Sequence, residues 1–305
     1  MLAILVTGAS GFLGSALIPL LLDNGHTVYG LYRKPPQTHI PLHLIPLIGD
    51  ITKPELGLED VPKVDAVIHC AALLSFSSRD KDRLYQTNCQ GTANLLKWMR
   101  RHQITRLFHI STAYLFRQNH YERSKKLAEK VIKRYPKIKT TILRPSIIIG
   151  NTQVEGLPPL SGFYLGMRAI DRAKRWFERK TLAPPLRVKI RLRGNPEGRL
   201  NLIPVDIVAK SIVDIVEQDK EGTFYLTHPV PPSLKSLEKP VSEASGADIK
   251  ITLDFEPSVV DRLASLLMKE LSPYLLGEYN FASDIDCPPL TEEFLTRTIE
   301  AFLNS

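Results

Sequence analysis

The sequence predicts an α/β protein with a doubly wound parallel sheet and a smaller, mixed second domain. Three observations lead to this prediction. Short apolar runs alternate with longer stretches of helical periodicity through the first half of the chain, and a glycine-rich turn follows the first run. After Gly150 the alternation weakens, and proline, glycine and basic residues become more frequent. A chain of 305 residues is long enough for such a pair of domains.

The predicted elements of the first half follow one another as strand, helix and strand. Residues 2–6 are aliphatic and predict a strand, and residues 13–24 carry apolar side chains at helical spacing. A second strand over 27–32 precedes the proline-rich stretch 35–47, which predicts an extended loop leading into a third strand. The later elements are strands over 64–69, 106–110 and 140–143 and helices over 85–102 and 121–135. We therefore expect residues 1–150 to form one domain around a parallel sheet.

The second half predicts a smaller, partly helical substrate-binding region over residues 151–305. Its predicted helices cover 203–216, 259–271 and 292–303, and a short strand covers 223–226. We expect the segment from about 201 to 228 to pack back against the first domain.

The composition excludes several classes of protein. Hydrophobic residues make up 43% of the chain and charged residues 24%, which is typical of a globular protein. No apolar run reaches the roughly 20 residues that a membrane span needs, and the first six residues lack the basic start of a signal peptide. Three cysteines far apart exclude a disulfide framework. His39 and His43 have no carboxylate or thiol partner nearby, so no metal site is expected. These features predict a cytoplasmic protein.

A glycine motif joins the first predicted strand to the first predicted helix. Its glycines let the backbone turn tightly and approach a phosphate, and the helix that follows presents free N–H groups. The strand before it and the helix after it argue against an ordinary glycine-rich turn. The motif therefore predicts a dinucleotide site with contacts from Thr7, Gly8, Ser10, Gly11, Phe12, Leu13 and Gly14.

The residues that end the second and third strands bear on which dinucleotide binds. An acidic residue after the second strand would hold the ribose 2′-hydroxyl of NAD, but this chain has Arg33 and Lys34 there. A guanidinium grips a 2′-phosphate, so NADP(H) is favoured over NAD(H); the alternative is that both cations are solvated loop charges. Asp50, beside Ile51, either accepts a hydrogen bond from the adenine amino group or caps its loop.

A second group of polar residues follows the fifth predicted strand. Tyr121 and Lys125 stand four residues apart at the start of a helix, so the phenol and the ammonium share one face. We expect Lys125, with the positive charge of a nicotinamide, to lower the pKa of Tyr121 toward neutrality, so that the phenol exchanges a proton with a substrate oxygen. Ser111 and Thr112 end the preceding strand, where either hydroxyl could polarise the same oxygen.

Six short motifs lie along the first half of the chain. They are Thr-Gly-Ala-Ser-Gly-Phe-Leu-Gly (7–14), His-Cys-Ala-Ala (69–72), Asn-Cys-Gln-Gly-Thr (88–92), Ser-Thr (111–112), Tyr-Glu-Arg-Ser-Lys (121–125) and Arg-Pro-Ser (144–146) with Gly150. Together they resemble the extended short-chain dehydrogenase/reductase superfamily, which has a Rossmann-type sheet and includes NAD-dependent epimerases and dehydratases. The segments 111–114, 121–125, 142–146 and 224–229 are similar to the branch that contains thioester reductase domains and fatty acyl reductases.

The resemblance implies a role for each matching residue. Tyr121 would be the catalytic acid/base, Lys125 would hold the nicotinamide ribose, and Thr112, or Ser111 in its place, would bind the reacting oxygen. Asn88 would brace the ends of the active-site strands, or would instead cap a helix. The remaining implied cofactor contacts are Ala71 and Ala72 beneath the cofactor, and Pro145 and Ser146 beside the nicotinamide. For the last two, an ordinary strand-to-loop turn is the alternative.

The favoured function is an NADPH-dependent oxidoreductase that transfers hydride to a carbonyl carbon, of an acyl thioester or an aldehyde. The alternatives are a nucleotide-sugar epimerase or dehydratase with tightly bound NAD, and a non-catalytic protein that senses NADP(H). Only eight residues separate Thr112 from Tyr121. This loop is shorter than we expect in the reductase branch, which leaves the substrate side of the site less enclosed. The sequence predicts neither the substrate nor the oligomeric state.

The net charge of +8 is concentrated in one segment. Residues 168–199 contain eleven basic and three acidic residues, so this segment accounts for the whole excess. An amphipathic helix over 167–177 and an alternating strand over 187–193 would each present cations on one side. These sides are either solvated faces or a binding surface for coenzyme A or an acidic acyl carrier protein. Nucleic acid is not expected, because no aromatic residues interleave the charges.

Overall fold

The computed structural model describes residues 1–37, 40–60, 63–116, 119–153, 162–182 and 187–305. His39 lies outside these residues. The strands are β1 (Ala3–Thr7), β2 (Thr27–Tyr32), β3 (Leu44–Ile48), β4 (Ala66–His69), β5 (Arg106–Ile110), β6 (Lys139–Pro145), β7 (Ile147–Ile149), β8 (Val188–Arg193), β9 (Leu202–Pro204), β10 (Gly222–Leu226) and β11 (Ala247–Thr252). The α-helices are α1 (Phe12–Asp23), α2 (Lys81–Leu84), α3 (Gly91–Arg101), α4 (His120–Ile132), α5 (Gly162–Lys180), α6 (Val205–Glu217), α7 (Leu234–Ser245), α8 (Val259–Leu267), α9 (Ser272–Leu276) and α10 (Glu292–Leu303).

The chain divides into two compact units. The first contains residues 1–146 and 205–226, and the second contains residues 147–204 and 227–305. The first unit therefore ends before the predicted boundary at Gly150. The later segment that returns to the first unit covers residues 205–226, whereas the prediction for this segment is about 201–228.

A seven-stranded parallel sheet forms the centre of the first unit. Its order is β3-β2-β1-β4-β5-β6-β10, and every neighbouring pair is parallel. In the register of the central strand, Leu5 lies between Tyr29 of β2 and Val67 of β4. This sheet confirms the predicted fold class. The strand order changes direction beside β1, and in such sheets ligands bind outside the carboxyl ends of the strands at that point.

Both faces of the sheet are buried. Leu5 and Val67 belong to a core cluster with Trp98 of α3. Val6 and Ile68, each one residue further along its strand, point to the opposite face and are equally buried. Helices α1 and α6 pack against each other, and α3 packs against α4. A parallel sheet covered on both faces explains why its strands read as nearly continuous aliphatic runs.

The second unit combines helices with two short parallel strand pairs, β7 with β9 and β8 with β11. Helix α7 packs on α10 and β11, and α5 packs on α8. Tyr164 of α5 lies fully buried among these elements. Its hydroxyl accepts the Gly150 N–H at 3.0 Å, and its ring centroid is 4.9 Å from that of Phe302. Within the described ranges, no helix is long and apolar enough to cross a membrane.

Several helical segments differ from the prediction. The helix predicted over 203–216 begins only at Val205, because the residue before Pro204 is held extended and Ile203 lies in β9. The helix predicted over 85–102 is α3 preceded by a π-helical turn, Tyr85–Gln90. The helix predicted over 259–271 ends at Leu267. Helix α7 is not predicted, since Pro240 interrupts its pattern.

Candidate active site

Close backbone contacts shape the glycine turn between β1 and α1. Gly8 has a φ of +71°, and a Cβ there would lie 2.7 Å from the backbone nitrogen of Ala71. A Cβ on Gly14 would lie 2.3 Å from the carbonyl oxygen of Gly8. Ser10 and Gly11 are exposed, and α1 begins after Gly11 without a side-chain cap. The N–H groups of the first turn of α1 are therefore available to an anion.

The other predicted residues of this turn differ in burial. Thr7 ends β1 fully buried, and its hydroxyl accepts the Ala71 N–H at 3.2 Å. Ala71 is half-buried and Ala72 is exposed. Phe12 is half-buried at the start of α1, whereas Leu13 belongs to the core. The glycine turn thus rests on the segment that follows β4.

The two predicted adenosine contacts lie after β2 and β3. Arg33 is exposed directly after the last residue of β2. One carboxylate oxygen of Asp50 accepts both the N–H and the hydroxyl of Thr52, each at 2.8 Å, so this residue caps its loop. The side chain of Ile51 is part of the core cluster, and its carbonyl accepts a hydrogen bond from Asn94 at 3.0 Å.

Helix α4 positions Tyr121 and Lys125. The Asn119 side chain accepts the Glu122 N–H at 2.9 Å, which caps the helix and puts Tyr121 in its first turn. The Tyr121 ring meets the ring of Phe76 edge to face, with centroids 6.2 Å apart. Lys125 is buried and donates a 2.7 Å hydrogen bond to the carbonyl of Ile110. The ammonium therefore lies against the strand end that immediately precedes Ser111 and Thr112.

Burial dominates the electrostatics of this pair. Burial and the Glu122 carboxylate raise the pKa of Tyr121. In the chain alone this pKa therefore lies above its ordinary value, while the Lys125 ammonium contacts a backbone carbonyl; the lowering expected from Lys125 together with a nicotinamide stays a prediction. Burial lowers the pKa of Lys125 to about 8, although Cys70 and Glu129 act in the opposite direction. At neutral pH the site thus contains a protonated phenol and a charged lysine.

The two candidate hydroxyls at the end of β5 have different partners. Ser111 donates a 2.6 Å hydrogen bond to the buried carboxylate of Glu129, which Arg144 also binds at 3.0 and 2.7 Å. The Thr112 oxygen accepts the Tyr114 N–H at 3.2 Å. An acceptor bond leaves the hydroxyl proton available. The O–H of Thr112 can therefore donate to a ligand, whereas the O–H of Ser111 already donates to Glu129.

Asn88 fastens a loop to α4. Its amide oxygen accepts the Leu73 N–H at 2.8 Å, and its amide nitrogen donates to the Leu73 carbonyl at 3.0 Å. The same nitrogen donates to the Ser124 hydroxyl at 2.8 Å, and Ser124 donates to the Tyr121 carbonyl at 2.7 Å. Asn88 lies inside the π-helical turn that precedes α3, and its side chain bonds Leu73 and Ser124, so the helix-cap alternative does not hold.

Pro145 and Ser146 are buried at the end of β6. The Pro145 carbonyl accepts the Ala113 N–H at 2.8 Å, and the Ser146 N–H donates to the Leu226 carbonyl at 3.1 Å. The Ser146 hydroxyl has no hydrogen-bond partner among the described residues. A buried, unsatisfied hydroxyl at the carboxyl end of a strand is a polar atom that a ligand would satisfy.

These features fit a bound dinucleotide. The cradle between Gly8 and Gly14 has no room for a Cβ, and the uncapped start of α1 suits a pyrophosphate. Ser146 offers a further unsatisfied group. Asn119 and Glu129 are two site residues that the sequence did not lead us to predict. Asn119 has a local signal, an asparagine just before a helical pattern, whereas the contact of Glu129 with Ser111 has none.

The second unit has an open cleft of about 290 Å³. It is lined by Arg199, Asn201, Pro229, Val230, Pro231, Tyr279, Asn280 and Phe281. The Arg199 guanidinium donates to the Pro231 carbonyl at 2.7 Å. Asn201 is committed to the fold, since its side chain bonds both the N–H and the carbonyl of His228.

The basic residues of the second unit do not all face solvent. Helix α5 exposes Arg172, Arg179 and Lys180, and β8 exposes Lys189 while its alternate residues are buried. Arg191 is different. Its guanidinium binds the carboxylate of Asp261, which is 1% exposed, at 2.9 Å. Arg191 therefore stabilises the second unit. The prediction that it belongs with the cations available on one side of the strand is corrected accordingly.

Comparisons with known proteins agree with this geometry. A model of the NAD dependent epimerase/dehydratase family matches residues 4–174. The chain is similar to a 3-beta-hydroxysteroid dehydrogenase of Mycolicibacterium neoaurum, with 35% identity over 101 residues, or 30% of this chain and 27% of that protein. It is also similar to a 2-alkyl-3-oxoalkanoate reductase of Stenotrophomonas maltophilia, with 37% identity over 113 residues, or 36% of this chain and 33% of that protein. The chain thus spans about a third or less of the length of these curated relatives.

Among solved structures, the chain is similar to a thiolation-reductase di-domain from an archaeal non-ribosomal peptide synthetase. The TM-score is 0.70 at 19% identity, and the match covers 99% of this chain and 90% of the other. At this identity the likeness concerns the fold.

Proposed function

Because the chain belongs to the NAD dependent epimerase/dehydratase family, we propose that it is an NADPH-dependent reductase that delivers hydride to a carbonyl carbon. Membership of the family makes it an NAD(P)-dependent oxidoreductase of the extended short-chain dehydrogenase/reductase type. One observation carries the specific proposal: Lys125, one turn beyond Tyr121 on α4, bonds the Ile110 carbonyl two residues before Thr112. This bond supports a site in which a proton donor, a fixed cation and an available hydroxyl act at one strand end.

Each of these residues has a task in the reduction. Bound NADPH would supply the hydride to the carbonyl carbon. Thr112 would donate its available O–H to the carbonyl oxygen, and Tyr121 would transfer a proton to that oxygen as the hydride arrives. A phenol whose pKa is raised by burial holds this proton at neutral pH. The Lys125 ammonium, with a pKa of about 8, would stabilise the phenolate that remains.

The preference for NADPH depends on Arg33. This residue is exposed at the end of β2, where an acidic residue would favour NAD. A planar guanidinium suits a 2′-phosphate, which supports NADPH as the cofactor.

The proposed substrate is an acyl thioester of coenzyme A or of an acidic acyl carrier protein, or a free aldehyde. Exposed cations on α5 and β8 support an anionic carrier, since they would attract it electrostatically. The likeness to a reductase that is joined to a thiolation domain supports the same class of substrate.

The test follows nicotinamide absorbance while the purified protein is mixed with NADPH and a panel of acyl thioesters, aldehydes and nucleotide sugars. Tyr121→Phe should abolish turnover and leave the Kd for NADPH within about twofold of the wild type. Tyr135→Phe, in the turn after α4, is the matched control and should remain active. Turnover by the Tyr121→Phe variant would refute the assigned acid. NAD retained through purification, with turnover of nucleotide sugars alone, would favour an epimerase or dehydratase.

A further inference from the structure

We propose that His69 is a positioning residue that couples the glycine turn to the helix bearing Tyr121. This inference rests on the proposed function, since it assigns His69 a task in that reaction. His69 ends β4 and is 1% exposed. Its Nδ1 lies 2.7 Å from the Thr7 hydroxyl oxygen, and its Nε2 lies 3.1 Å from the Thr92 hydroxyl oxygen. Both nitrogens of a buried imidazole are therefore committed to neighbouring elements.

The hydrogen-bond directions follow from the Thr92 end. Thr92 donates its proton to the Asn88 carbonyl at 2.7 Å, so its oxygen accepts from His69 and the ring hydrogen is on Nε2. In a neutral imidazole Nδ1 is then an acceptor, and Thr7 donates to it. Burial, with a smaller effect of Lys125, lowers the pKa of His69 to about 3, so the ring is neutral at working pH.

The two ends of this hydrogen-bonded path lead to different parts of the site. At one end, Thr7 accepts the Ala71 N–H, and the Ala71 backbone is the surface against which Gly8 is packed. At the other end, Thr92 is bonded to Asn88, whose side chain connects through Ser124 to the Tyr121 carbonyl. The first end supports the cofactor cradle, and the second supports the first turn of α4.

The two ends can be separated because asparagine and glutamine each replace one ring nitrogen. His69→Asn places an amide oxygen near the Nδ1 position, so it keeps the bond from Thr7 and loses the bond to Thr92. His69→Gln reaches the Nε2 position and keeps the opposite bond. We expect His69→Asn to keep the Kd for NADPH within about twofold and to lower kcat about tenfold. His69→Gln should weaken NADPH binding about tenfold with a smaller effect on kcat, as expected for one buried hydrogen bond.

Two further variants keep the test informative if a His69 variant fails to fold. Thr7→Val should reproduce the loss of NADPH affinity, and Thr92→Val should reproduce the loss of kcat, because each breaks one end of the path at nearly constant volume. His26→Asn is the matched control. His26 is 3% exposed, accepts the Leu2 N–H at 3.1 Å and contacts Glu217. It precedes β2 and so lies at the amino ends of the parallel strands, whereas His69 lies at the carboxyl end of β4. His26→Asn should lower the melting temperature and leave Kd and kcat unchanged.

The measurements are fluorescence titration with NADPH, steady-state kinetics and thermal unfolding. Equal losses of affinity and kcat in all the His69, Thr7 and Thr92 variants, in proportion to lost stability, would overturn the proposal, and so would unchanged Kd and kcat. Failure of the proposed function can be distinguished from failure of the proposal for His69. If the wild type reduces no carbonyl compound, NADPH affinity still decides, because it must fall in the His69→Gln and Thr7→Val variants and be retained in the His69→Asn variant.

Discussion

The hydroxyl of Ser111 donates a 2.6 Å hydrogen bond to the buried carboxylate of Glu129. The same carboxylate is held by Arg144 through two further bonds, so Ser111 belongs to a buried ionic network. A hydroxyl that is engaged with a charged acceptor is poorly suited to donate to a substrate at the same time. This relationship separates two adjacent residues that the sequence leaves equivalent.

Replacement of the two hydroxyls should therefore have opposite consequences. Ser111→Ala removes a bond to a buried charge and should lower the free energy of unfolding by about 1–3 kcal/mol, with little change in kcat. Thr112→Val removes the available donor and should lower kcat about 100-fold, and because it also removes the bond from the Tyr114 N–H it should lower the free energy of unfolding by about 1 kcal/mol. Denaturant unfolding and steady-state kinetics check both. A larger loss of kcat in the Ser111→Ala variant would reverse the assignment.

Lys125 should make stability depend on pH at alkaline values. Its pKa of about 8 in the folded state lies below its ordinary value of 10.5, because burial disfavours the charge. Below pH 8 the lysine is protonated in both the folded and the unfolded chain. Burial of its charge then lowers the free energy of unfolding by its full amount. Between these values the unfolded chain binds more protons, so the wild type gains stability as pH rises, by up to about 3 kcal/mol.

Lys125→Met removes this titration. Unfolding free energies of the two proteins, measured at pH 7 and pH 10, should differ more in favour of the wild type at the higher pH. A difference that is constant with pH would show that Lys125 keeps its ordinary pKa.

Arg33 should decide between the two dinucleotides. Arg33→Ala removes a charge-assisted contact to a 2′-phosphate and should weaken NADPH binding about 10- to 100-fold, with NADH binding nearly unchanged. Parallel titrations with both cofactors measure this ratio, and Lys34→Ala shows whether the effect belongs to one position. Equal weakening of both cofactors would assign Arg33 to a general electrostatic effect.

Gly14 should tolerate no side chain. A Cβ there would lie 2.3 Å from the Gly8 carbonyl oxygen, so Gly14→Ala must displace the turn that receives the pyrophosphate. We expect NADPH affinity to fall at least tenfold. Gly166→Ala in α5 is the matched control, because a Cβ there meets the Met268 side chain at an ordinary 3.4 Å. Unchanged affinity in Gly14→Ala would contradict the cradle.

The cations of the second unit should separate into binding and structural residues. Lys189→Glu should raise the KM for a coenzyme A or carrier-bound substrate and reduce its dependence on salt, at unchanged stability. Arg191→Glu leaves the buried Asp261 carboxylate unpaired and should cost about 3–5 kcal/mol of unfolding free energy. Kinetics at several salt concentrations, with thermal unfolding, distinguish the two. Unchanged kinetics for Lys189→Glu would show that this face is only solvated and does not bind the carrier.

The sequence predicts those parts of the site whose signals are local. The strand, the three glycines and the helix after them are consecutive, and steric limits on Gly8 and Gly14 make the pattern specific. The spacing of Tyr121 and Lys125 correctly predicts one helix. Helical periodicity indicates on which face of a helix a side chain lies, but not how deeply that side chain is buried. Burial raises the pKa of Tyr121, and no pattern within a few residues records it.

Contacts between distant segments are the part that the sequence could not predict. Thr92 lies 23 residues beyond His69, and the two meet only because β4 and α3 pack together. The sequence also does not predict where α6 begins or that α7 exists, since Pro204 and Pro240 obscure the helical periodicity near them. The prediction therefore matches the structure for the strand, glycine turn and helix, and it is coarse beyond them.

Strand β10 completes the parallel sheet late in synthesis. It pairs with β6 across Thr141–Pro145, although residues 146–221 lie between the two strands. Tyr225 of β10 also accepts a 2.6 Å hydrogen bond from Arg144, the residue that holds Glu129. Until residue 226 has left the ribosome, β6 is an open strand edge, prone to pairing with other chains. A truncated gene that stops at residue 150 would keep that edge open permanently.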